Sequence, residues 1–443
     1  MYKLDCGVQK YSWGRKGNDS KVAVYKQAQD ESFQLNDVQA YAELWMGTHS
    51  NCPSKIEITK HEPVLLSDYI KQNANQALGA SVNSHFYSSN NANGDLPFLF
   101  KVLSINQALS IQAHPTKKLA AELHAKDAKN YPDSNHKPEM LIAISDEFEA
   151  MCGFRLAAEI SSHFESTPEL VELCGQLNCA EFNRAQSESA LRVCFSSMMS
   201  QSESVVVEQF AKLKARLEAR AERGYLDDLY LRLAEQYVND VGCFSIYLLN
   251  CLKLSKGEAI FLAANMPHAY LFGDGVECMA CSDNVVRAGL TPKFKDVEVL
   301  CEMLDYRMRS AEDNKLVACR TGLSAGLSYL EEFRPSVDEF SVQEIRVSKA
   351  DLVGAQKKTG DGFLFKLSVP KCESGSILIV NESAQVKSYF SCDGSSKLEA
   401  KCGLVYFVDA NVEFSFVVEA DLAGLKDGEL VLLAYRAYTD IKH

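Results

Sequence analysis

The sequence has no long apolar run and no long run of basic residues. No uninterrupted apolar stretch approaches the roughly 18 residues of a membrane-spanning helix, and the amino terminus has no basic region followed by an apolar core. Lys and Arg never stand more than two in a row, as at Lys117 and Lys118, and the net charge is −13. We therefore expect a cytoplasmic protein with no membrane partner and no nucleic-acid partner, because a negative surface repels polymeric anions.

A regular cysteine pattern is also missing. The 15 cysteines are odd in number and irregularly spaced over 443 residues, unlike a small disulfide framework, so we expect reduced thiols in the core. The 47% apolar and 24% charged residues are typical of a soluble globular protein. This length predicts two or three domains, or one domain with large insertions. A small anionic substrate stays compatible with the net charge, because a few cations can be focused in a cleft.

Short strands separated by turn residues dominate most of the chain. This pattern covers 1–155 and 244–310, and it returns over 311–443. Between them, 156–243 has the Leu, Ala, Glu and Lys content and the periodicity of helices, with a break at Gly224. We predict a mainly β protein with helical insertions, built as two barrels or sandwiches with a helical domain between the halves of the first.

One segment, LSIQAHPTKK, places two ligand-type side chains close together. Gln112 and His114 stand two apart in a run that has the pattern of a strand and that Pro115 ends. Residues at i and i+2 of a strand point to the same side of the sheet, so the amide and the imidazole converge. Two convergent polar groups on a half-buried strand require a structural or functional reason.

Histidine is scarce, so the setting of each one is informative. Of the nine histidines, His136 stands in NHKPEM near Glu139, and His268 follows a proline in ANMPHAY. Gln112, His114, Glu139 and His268 would supply two nitrogen and two oxygen ligands, a set that fits zinc and several other metals. Each group could equally be a satisfied core or surface residue. Spacing alone does not decide between these interpretations.

Six short segments resemble, in order along the chain, signature segments of the zinc-dependent mannose-6-phosphate isomerase family. They are YSWG, AELWMGTH, QAHP, NHKPEM, ANMPHAY and VECMACSDNVVRAGLTPK. The segment 156–250 and most of the tail add little to the resemblance. The family implies cupin-like, jelly-roll β-barrels: a catalytic barrel over 1–155 with 244–310, a helical domain over 156–243 and a second barrel over 311–443.

The resemblance also implies a set of site residues. The zinc ligands fall on Gln112, His114, Glu139 and His268, the same four residues that ligand chemistry singled out. Because the only histidine after Arg320 is His443, a second His-based site in the tail is not expected, and one zinc per chain follows. Contacts to the sugar phosphate are implied for Glu43, Lys101, Ser110, Lys137 and Lys293.

The reaction that the resemblance implies is the interconversion of mannose 6-phosphate and fructose 6-phosphate through a cis-enediolate. Such chemistry needs a base for the C2 proton and positive charge for the oxyanion. We take Glu277 as the base, because the family places an acidic residue at this position and a desolvated carboxyl can have its pKa raised toward neutrality. His136 and Lys137 are rival bases, with Asp283 as an orienting partner.

Arg287 is the family's essential arginine, suited to neutralising the enediolate or covering the substrate. A surface arginine paired with Asp283 or Asp296 is the alternative interpretation. At the level of the whole protein, a non-catalytic sugar- or metal-binding member of the fold and an iron-dependent cupin oxygenase are the competing classes. We expect a small-molecule sugar-phosphate substrate and a monomer.

Overall fold

The computed structural model describes residues 1–58, 63–87, 94–320, 324–353, 356–359, 362–392, 396–426 and 428–441. The side chains of 356–359 and 362–363 lie outside this description, as does the whole of His443. Over the described ranges, no helix combines the length and the apolar character needed to cross a membrane. Among the described residues the structure shows no disulfide, and nine of the 15 cysteines are buried.

Strands alternate with turns up to the helical region and return after it. The first set is β1 Tyr2–Asp5, β2 Gly7–Gln9, β3 Arg15–Lys16, β4 Ala40–Tyr41, β5 Glu43–Met46, β6 Lys55–Ile56, β7 Val64–Leu65, β8 Phe98–Ile105, β9 Ile111–Ala113, β10 Glu139–Ala143 and β11 Phe148–Phe154. The second set is β12 Leu249–Leu254, β13 Ala259–Leu262, β14 His268–Ala280, β15 Val286–Gly289 and β16 Lys315–Leu316.

The tail is a further series of short strands. They are β17 Leu330–Phe333, β18 Ser341–Ser348, β19 Gln356–Thr359, β20 Gly362–Val369, β21 Ser376–Ser383, β22 Ser388–Ser391, β23 Leu398–Glu399, β24 Val405–Val408, β25 Phe414–Val418 and β26 Leu430–Tyr438.

Helices interrupt the strands at several places and form a block between β11 and β12. The block is α6 Ala157–Ser166, α7 Pro168–Cys174, α8 Gln176–Ala185, α9 Glu188–Met199, α10 Glu203–Glu218 and α11 Tyr225–Gln236. The others are α1 Lys21–Gln29, α2 Leu66–Gln72, α3 Ala74–Ala77, α4 Ala80–Phe86, α5 Lys117–Lys126, α12 Val297–Met303 and α13 Lys349–Val353. Gly224 separates α10 from α11 as predicted.

The helix starts follow ordinary capping chemistry. Ser20 caps α1 and Thr116 caps α5, because each side chain accepts a hydrogen bond from the backbone N–H three residues on. Ser187 does the same for α9. The cap at Thr116 ends the strand segment that carries Gln112 and His114 and turns the chain away from it.

The strands around the candidate site form one branched sheet. Its main path runs β16-β13-β10-β14-β8-β5-β2, and β9, β11, β12 and β15 join it through β14 or through one another. The long strand β14 pairs with β8 and β10 over its second half and with β9 and β11 over its first. The two halves enclose an apolar core to which Leu103, Leu141, Phe148 and Leu252 belong.

The tail forms two facing sheets. One runs β17-β18-β26-β21-β24-β1-β6-β7 and the other β19-β20-β25-β22-β23, with an apolar core between them. The amino-terminal strand β1 is thus a member of the tail's sheet, where Tyr2 stands opposite Phe407. The predicted mainly β, cupin-like fold with helical insertions is confirmed, with its strands arranged in the described residues as facing sheets rather than as closed hydrogen-bonded barrels.

Candidate metal centre and cavity

Three buried side chains from three strands or strand ends meet at one point. His114 follows β9, Glu139 begins β10 and His268 begins β14, and each side chain is no more than 2% exposed. The Nε2 atom of His114 lies 3.2 Å from one Glu139 oxygen, and the Nε2 atom of His268 lies 3.4 Å from the other. All three ligand atoms lie within 4.8 Å of one another.

Both imidazoles are held by their other ring nitrogen. His114 Nδ1 is 2.8 Å from the Asn284 carbonyl oxygen, and His268 Nδ1 is 2.9 Å from the Met266 carbonyl oxygen. Because a carbonyl only accepts, Nδ1 donates in each case and Nε2 is left with a free lone pair. Burial lowers the pKa of His114 to about 4, which keeps that imidazole neutral.

Gln112 lies beside this cluster. It stands opposite His268 in the β9–β14 pairing, and its amide nitrogen lies 3.5 Å from His268 Nε2. The two ends of an amide are assigned from surroundings, and rotation by 180° places the oxygen at the same position. The structure therefore brings together the four residues that the sequence singled out as ligands.

The spacing of these atoms fits a zinc ion. Two ligands each about 2.1 Å from a tetrahedral zinc lie about 3.4 Å apart. The neighbouring pairs of atoms in this cluster are 3.2, 3.4 and 3.5 Å apart, and all three ligand atoms of His114, Glu139 and His268 lie within 4.8 Å of one another. His114 Nε2 and Glu139 Oε2 are buried without a hydrogen-bond partner among the described residues. Buried polar atoms are rarely left without a partner, and a metal ion bound to these two atoms would supply one. The cluster therefore has the features of a metal site.

A cavity of about 1050 Å³ opens above this cluster. Its wall includes most of the residues that the resemblance implies for substrate and catalysis. They are Glu43, Lys101, Ser110, Gln112, Lys137, Glu139, Glu277, Asp283, Arg287 and Lys293. His114 and His268 lie beneath the surface of the cavity as part of the buried cluster.

Glu277 is the centre of a buried charge network on one wall. It stands opposite Lys101 across β14 and β8, and Lys101 Nζ donates to Glu277 Oε2 at 3.0 Å. The same ammonium lies 3.6 Å from Glu43 and 5.1 Å from the Trp45 ring centroid. Burial raises the pKa of Glu277, although the positive charge of Lys101 opposes the shift. The neighbouring carboxylates raise the pKa of Lys101 against the effect of burial.

A β-bulge explains why His268 and Glu277 face the same cavity although nine residues separate them on one strand. Odd and even positions of a regular strand point to opposite faces. The β11–β14 register shifts between Ala150↔Tyr270 and Glu149↔Phe272, so one extra residue is inserted there. The bulge reverses the parity, which turns Glu277 to the side that Tyr270 and His268 share.

Positive charge surrounds the acidic floor of the cavity. Lys137 Nζ lies 3.2 Å from Glu139 Oε1, and the pKa of Glu139 lies well below the usual range in spite of burial, because this neighbouring positive charge favours the ionised carboxylate. Arg287 stands opposite Gln112 in the β9–β15 pairing. Within the described residues Arg287 has no ion pair, so neither Asp283 nor Asp296 neutralises it, and burial lowers its pKa. Lys293 lies exposed at the rim.

Two of the predicted catalytic residues, His136 and Asp283, do not lie at the centre of the cavity. His136 does not line the cavity; its Nε2 is 2.6 Å from Glu339 Oε1, so this imidazole is engaged by a carboxylate of the tail region. Asp283 lies at the cavity's edge, 3.4 Å from His49 Nε2, and a hydrogen bond from His49 lowers the pKa of Asp283. Asp283 is thus paired with His49 and not with Arg287.

Sequence reasoning missed two contributions to the site. The first is a clamp behind His114: Asn284 holds His114 through its carbonyl oxygen, and Asp133 accepts from the Asn284 amide at 3.1 Å and from the Ser282 hydroxyl at 2.8 Å. In the sequence, the polar run Ser282, Asp283 and Asn284 was the signal that could have indicated this clamp. The second is the helical region, which supplies a wall that includes Gln201, Glu203, Gln236 and Asp240. The helical periodicity of the sequence does not indicate which of its polar residues face the cavity.

The fold and the site together define a class: a cupin-like protein with a buried His–Glu–His metal centre at the base of a cation-lined cavity. Residues 1–157 match the family description "Phosphomannose isomerase type I, catalytic domain". Residues 156–249 match "Phosphomannose isomerase type I, helical insertion domain". The chain belongs to the type I phosphomannose isomerase family.

Individual relatives extend this match over nearly the whole chain. Mannose-6-phosphate isomerase of Rattus norvegicus is 42% identical over 422 residues, covering 93% of this chain and 94% of the rat protein. The Homo sapiens enzyme is 40% identical and covers 94% and 95%. A zinc-bound crystal structure of mannose 6-phosphate isomerase has a TM-score of 0.78 at 31% identity, with 99% of each chain covered.

Proposed function

We propose that this chain is a zinc-dependent mannose-6-phosphate isomerase that interconverts mannose 6-phosphate and fructose 6-phosphate, with one zinc per chain. The observation that carries the proposal is the buried cluster of His114, Glu139 and His268, with ligand atoms at zinc spacing, beneath a cavity lined by cations. The names of the relatives supply the substrate pair. Gln112 is the proposed fourth ligand.

Zinc at this site would supply Lewis-acid polarisation of a substrate oxygen. Basic side chains of the protein would neutralise the remaining negative charge of the enediolate and of the phosphate. We assign Arg287 to the planar pair of oxygens that becomes negative in the enediolate, because a guanidinium without a carboxylate partner is free to bind them. Lys293 at the rim, with Ser110 and Lys137, is assigned to the phosphate and sugar end of the substrate.

Glu277 is the proposed base. Its carboxylate takes the proton from C2 of the open-chain aldose, and the bonding electrons form the C1–C2 double bond of a cis-enediolate while charge moves to the C1 oxygen. The same group, now protonated, delivers that proton to C1, while the proton of the C2 hydroxyl passes to the C1 oxygen, so that C1 carries a hydroxyl and C2 becomes the ketone carbonyl. Lys101 holds Glu277 in position, and burial keeps its pKa high enough to accept a carbon-bound proton.

The test is a coupled assay. Purified protein is supplied with mannose 6-phosphate, and fructose 6-phosphate is detected before chelation, after chelation and after zinc is restored. We expect turnover to be lost with the metal and recovered with zinc, and metal analysis to give one zinc per chain. Absence of turnover in folded, zinc-loaded protein would leave a sugar- or metal-binding protein instead. Recovery with iron alone would favour the oxygenase class.

The proposal also covers the location of the protein, its oligomeric state and its division into units. We assign a cytoplasmic location and a monomer, and a division into a catalytic unit over 1–155 with 244–310, a helical unit over 156–243 and a tail unit over 311–443. The helical block α6–α11 and the separate apolar core of the tail support this division. Gel filtration combined with light scattering tests the monomer.

Asp133 is expected to matter for metal affinity. Replacing it by alanine removes a carboxylate that accepts from the Ser282 hydroxyl, the Asp283 backbone N–H and the Asn284 amide. Backbone acceptors at Asp133 and Asn135 remain, but the segment whose carbonyl orients His114 is less fixed. Loss of such an outer partner typically weakens metal binding about 10- to 100-fold. The measurement is zinc affinity by competition with a chelator. The matched control is Asp127→Ala, whose carboxylate accepts hydrogen bonds from Asn130 in a local turn. Equal affinities in the two variants would contradict the prediction.

A further inference from the structure

One carboxylate joins the helical region to the strand that carries Arg287. Asp240 follows α11, and its Oδ1 accepts from the Gly242 backbone N–H at 2.7 Å and from the Leu290 backbone N–H at 2.9 Å. Its Oδ2 lies 3.4 Å from the Thr291 backbone nitrogen. The side chain is 11% exposed and lines the cavity. The same group therefore binds two segments that are far apart in the sequence.

The segment that Asp240 binds has an unfavourable backbone. Leu290 has φ of +54°, in the left-handed region that bulky residues rarely adopt, and its side chain is buried. Such a conformation persists only where the surroundings over-determine it. The Leu290 N–H bond to Asp240 is one such constraint. Close contact of two glycine backbones is another, because a Cβ on Gly289 would lie 2.7 Å from the Gly242 Cα.

This held segment connects the cations of the cavity. Arg287 lies on β15, three residues before Leu290. Lys293 lies at the rim of the cavity, three residues after Leu290. Lys293 is tied back by its backbone N–H, which donates to the Thr291 hydroxyl at 3.1 Å. Arg287 also stands opposite Gln112, so β15 is fixed against the metal centre on one side and against Asp240 near its other end.

We infer that Asp240 is a positioning residue that holds the segment from Arg287 to Lys293 in its working conformation, and that the helical region takes part in catalysis through it. The inference rests on the proposed isomerase function for its kinetic consequences. It predicts a loss that appears in catalysis while the metal centre stays intact, because no contact joins Asp240 to His114, Glu139 or His268 among the described residues.

The test compares Asp240→Ala and Asp240→Asn with the unaltered protein. We expect the alanine variant to lose about 10- to 100-fold in kcat/KM, with zinc content and cooperative unfolding retained. The asparagine variant should stay within about threefold, because its amide oxygen still accepts the two shorter bonds, from the Gly242 and Leu290 N–H groups. It loses only the weaker contacts of Oδ2, with the Thr291 N–H at 3.4 Å and with Lys295 Nζ at 4.0 Å. The control is Asp421→Ala, which removes an exposed carboxylate that accepts a hydrogen bond from the Ala423 N–H in a turn of the tail.

If Asp240→Ala does not fold, Gly289→Ala tests the same junction. We expect a similar loss in kcat/KM, because the added Cβ would lie 2.7 Å from the Gly242 Cα.

Hydrogen exchange separates this inference from the proposed function. The Leu290 and Thr291 amides should exchange faster in Asp240→Ala than in the unaltered protein, whether or not mannose 6-phosphate is turned over. Unchanged exchange at these amides overturns the inference, as does loss of activity in proportion to loss of zinc. An inactive but zinc-loaded unaltered protein with faster exchange in the variant defeats the proposed function and leaves the positioning role in place.

Discussion

Replacing Glu277 by glutamine is expected to lower kcat by about 10²- to 10⁴-fold, the range for removal of a general base. Glutamine keeps the shape of the side chain but cannot take a proton from carbon. Zinc content should stay at one per chain, because Glu277 is not among the clustered ligands. The measurement is steady-state turnover of mannose 6-phosphate alongside metal analysis.

The matched control is Glu149→Gln. Glu149 is 3% exposed, as Glu277 is, and it also pairs with basic side chains, Lys253 and Arg232, but it does not line the cavity. A large loss in Glu149→Gln would mean that removal of any buried carboxylate disturbs the sheet. Near-normal turnover in Glu277→Gln would remove Glu277 from the role and leave Lys137 as the base to test, since His136 is engaged by Glu339 outside the cavity.

The same assignment predicts a pH dependence. The base works only when it is deprotonated, so kcat/KM should fall as pH drops through its pKa. Burial raises that pKa above the usual glutamate range, with Lys101 opposing the shift, so the fall should begin at a higher pH than for an ordinary glutamate. The acid limb should disappear from the residual activity of Glu277→Gln.

Replacing Arg287 by alanine is expected to lower kcat by about 10²- to 10³-fold, as for loss of one oxyanion donor. The guanidinium faces the cavity without a carboxylate partner among the described residues, so the substrate oxyanion is its natural partner. Arg287→Lys should recover only part of the loss, because an ammonium cannot bind two planar oxygens side by side.

The readout for Arg287 is kcat and KM with zinc content measured on the same samples. Arg307→Lys is the control, since Arg307 is exposed and pairs with Asp305 outside the cavity. Full activity in Arg287→Ala would contradict the assignment. A parallel loss of zinc would show instead that Arg287 holds β15 and Gln112 in place.

The metal centre was within reach of sequence reasoning because local rules act over short distances. Gln112 and His114 stand two apart at the end of a strand. Pro115 and the helix cap Thr116 mark the end of that strand in the sequence. Glu139 and His268 are distant in sequence, so chemistry could nominate them but only the family's motifs could join them. The strand character of their segments followed from composition.

Other parts of the site depend on long-range pairing that periodicity does not encode. The bulge near Phe272 decides which face of β14 Glu277 uses, and a one-residue register shift leaves no signal in a single sequence. The wall supplied by Gln236 and Asp240 depends on how the helical block docks. The membership of β1 in the tail's sheet depends on strands that follow hundreds of residues later.

That membership of β1 bears on how the chain reaches its native state. Tyr2–Asp5 is among the first segments made, yet its partner Val405–Val408 is among the last. At about 5–20 residues per second, synthesis of the chain between them takes roughly 20–80 s. During that time the edge of β1 that pairs with β24 has no partner and can join other strands, although β6 can already pair with its opposite edge. The last step of assembly therefore closes a loop that includes nearly the whole protein, and we expect this step to be slow and sensitive to truncation of the tail.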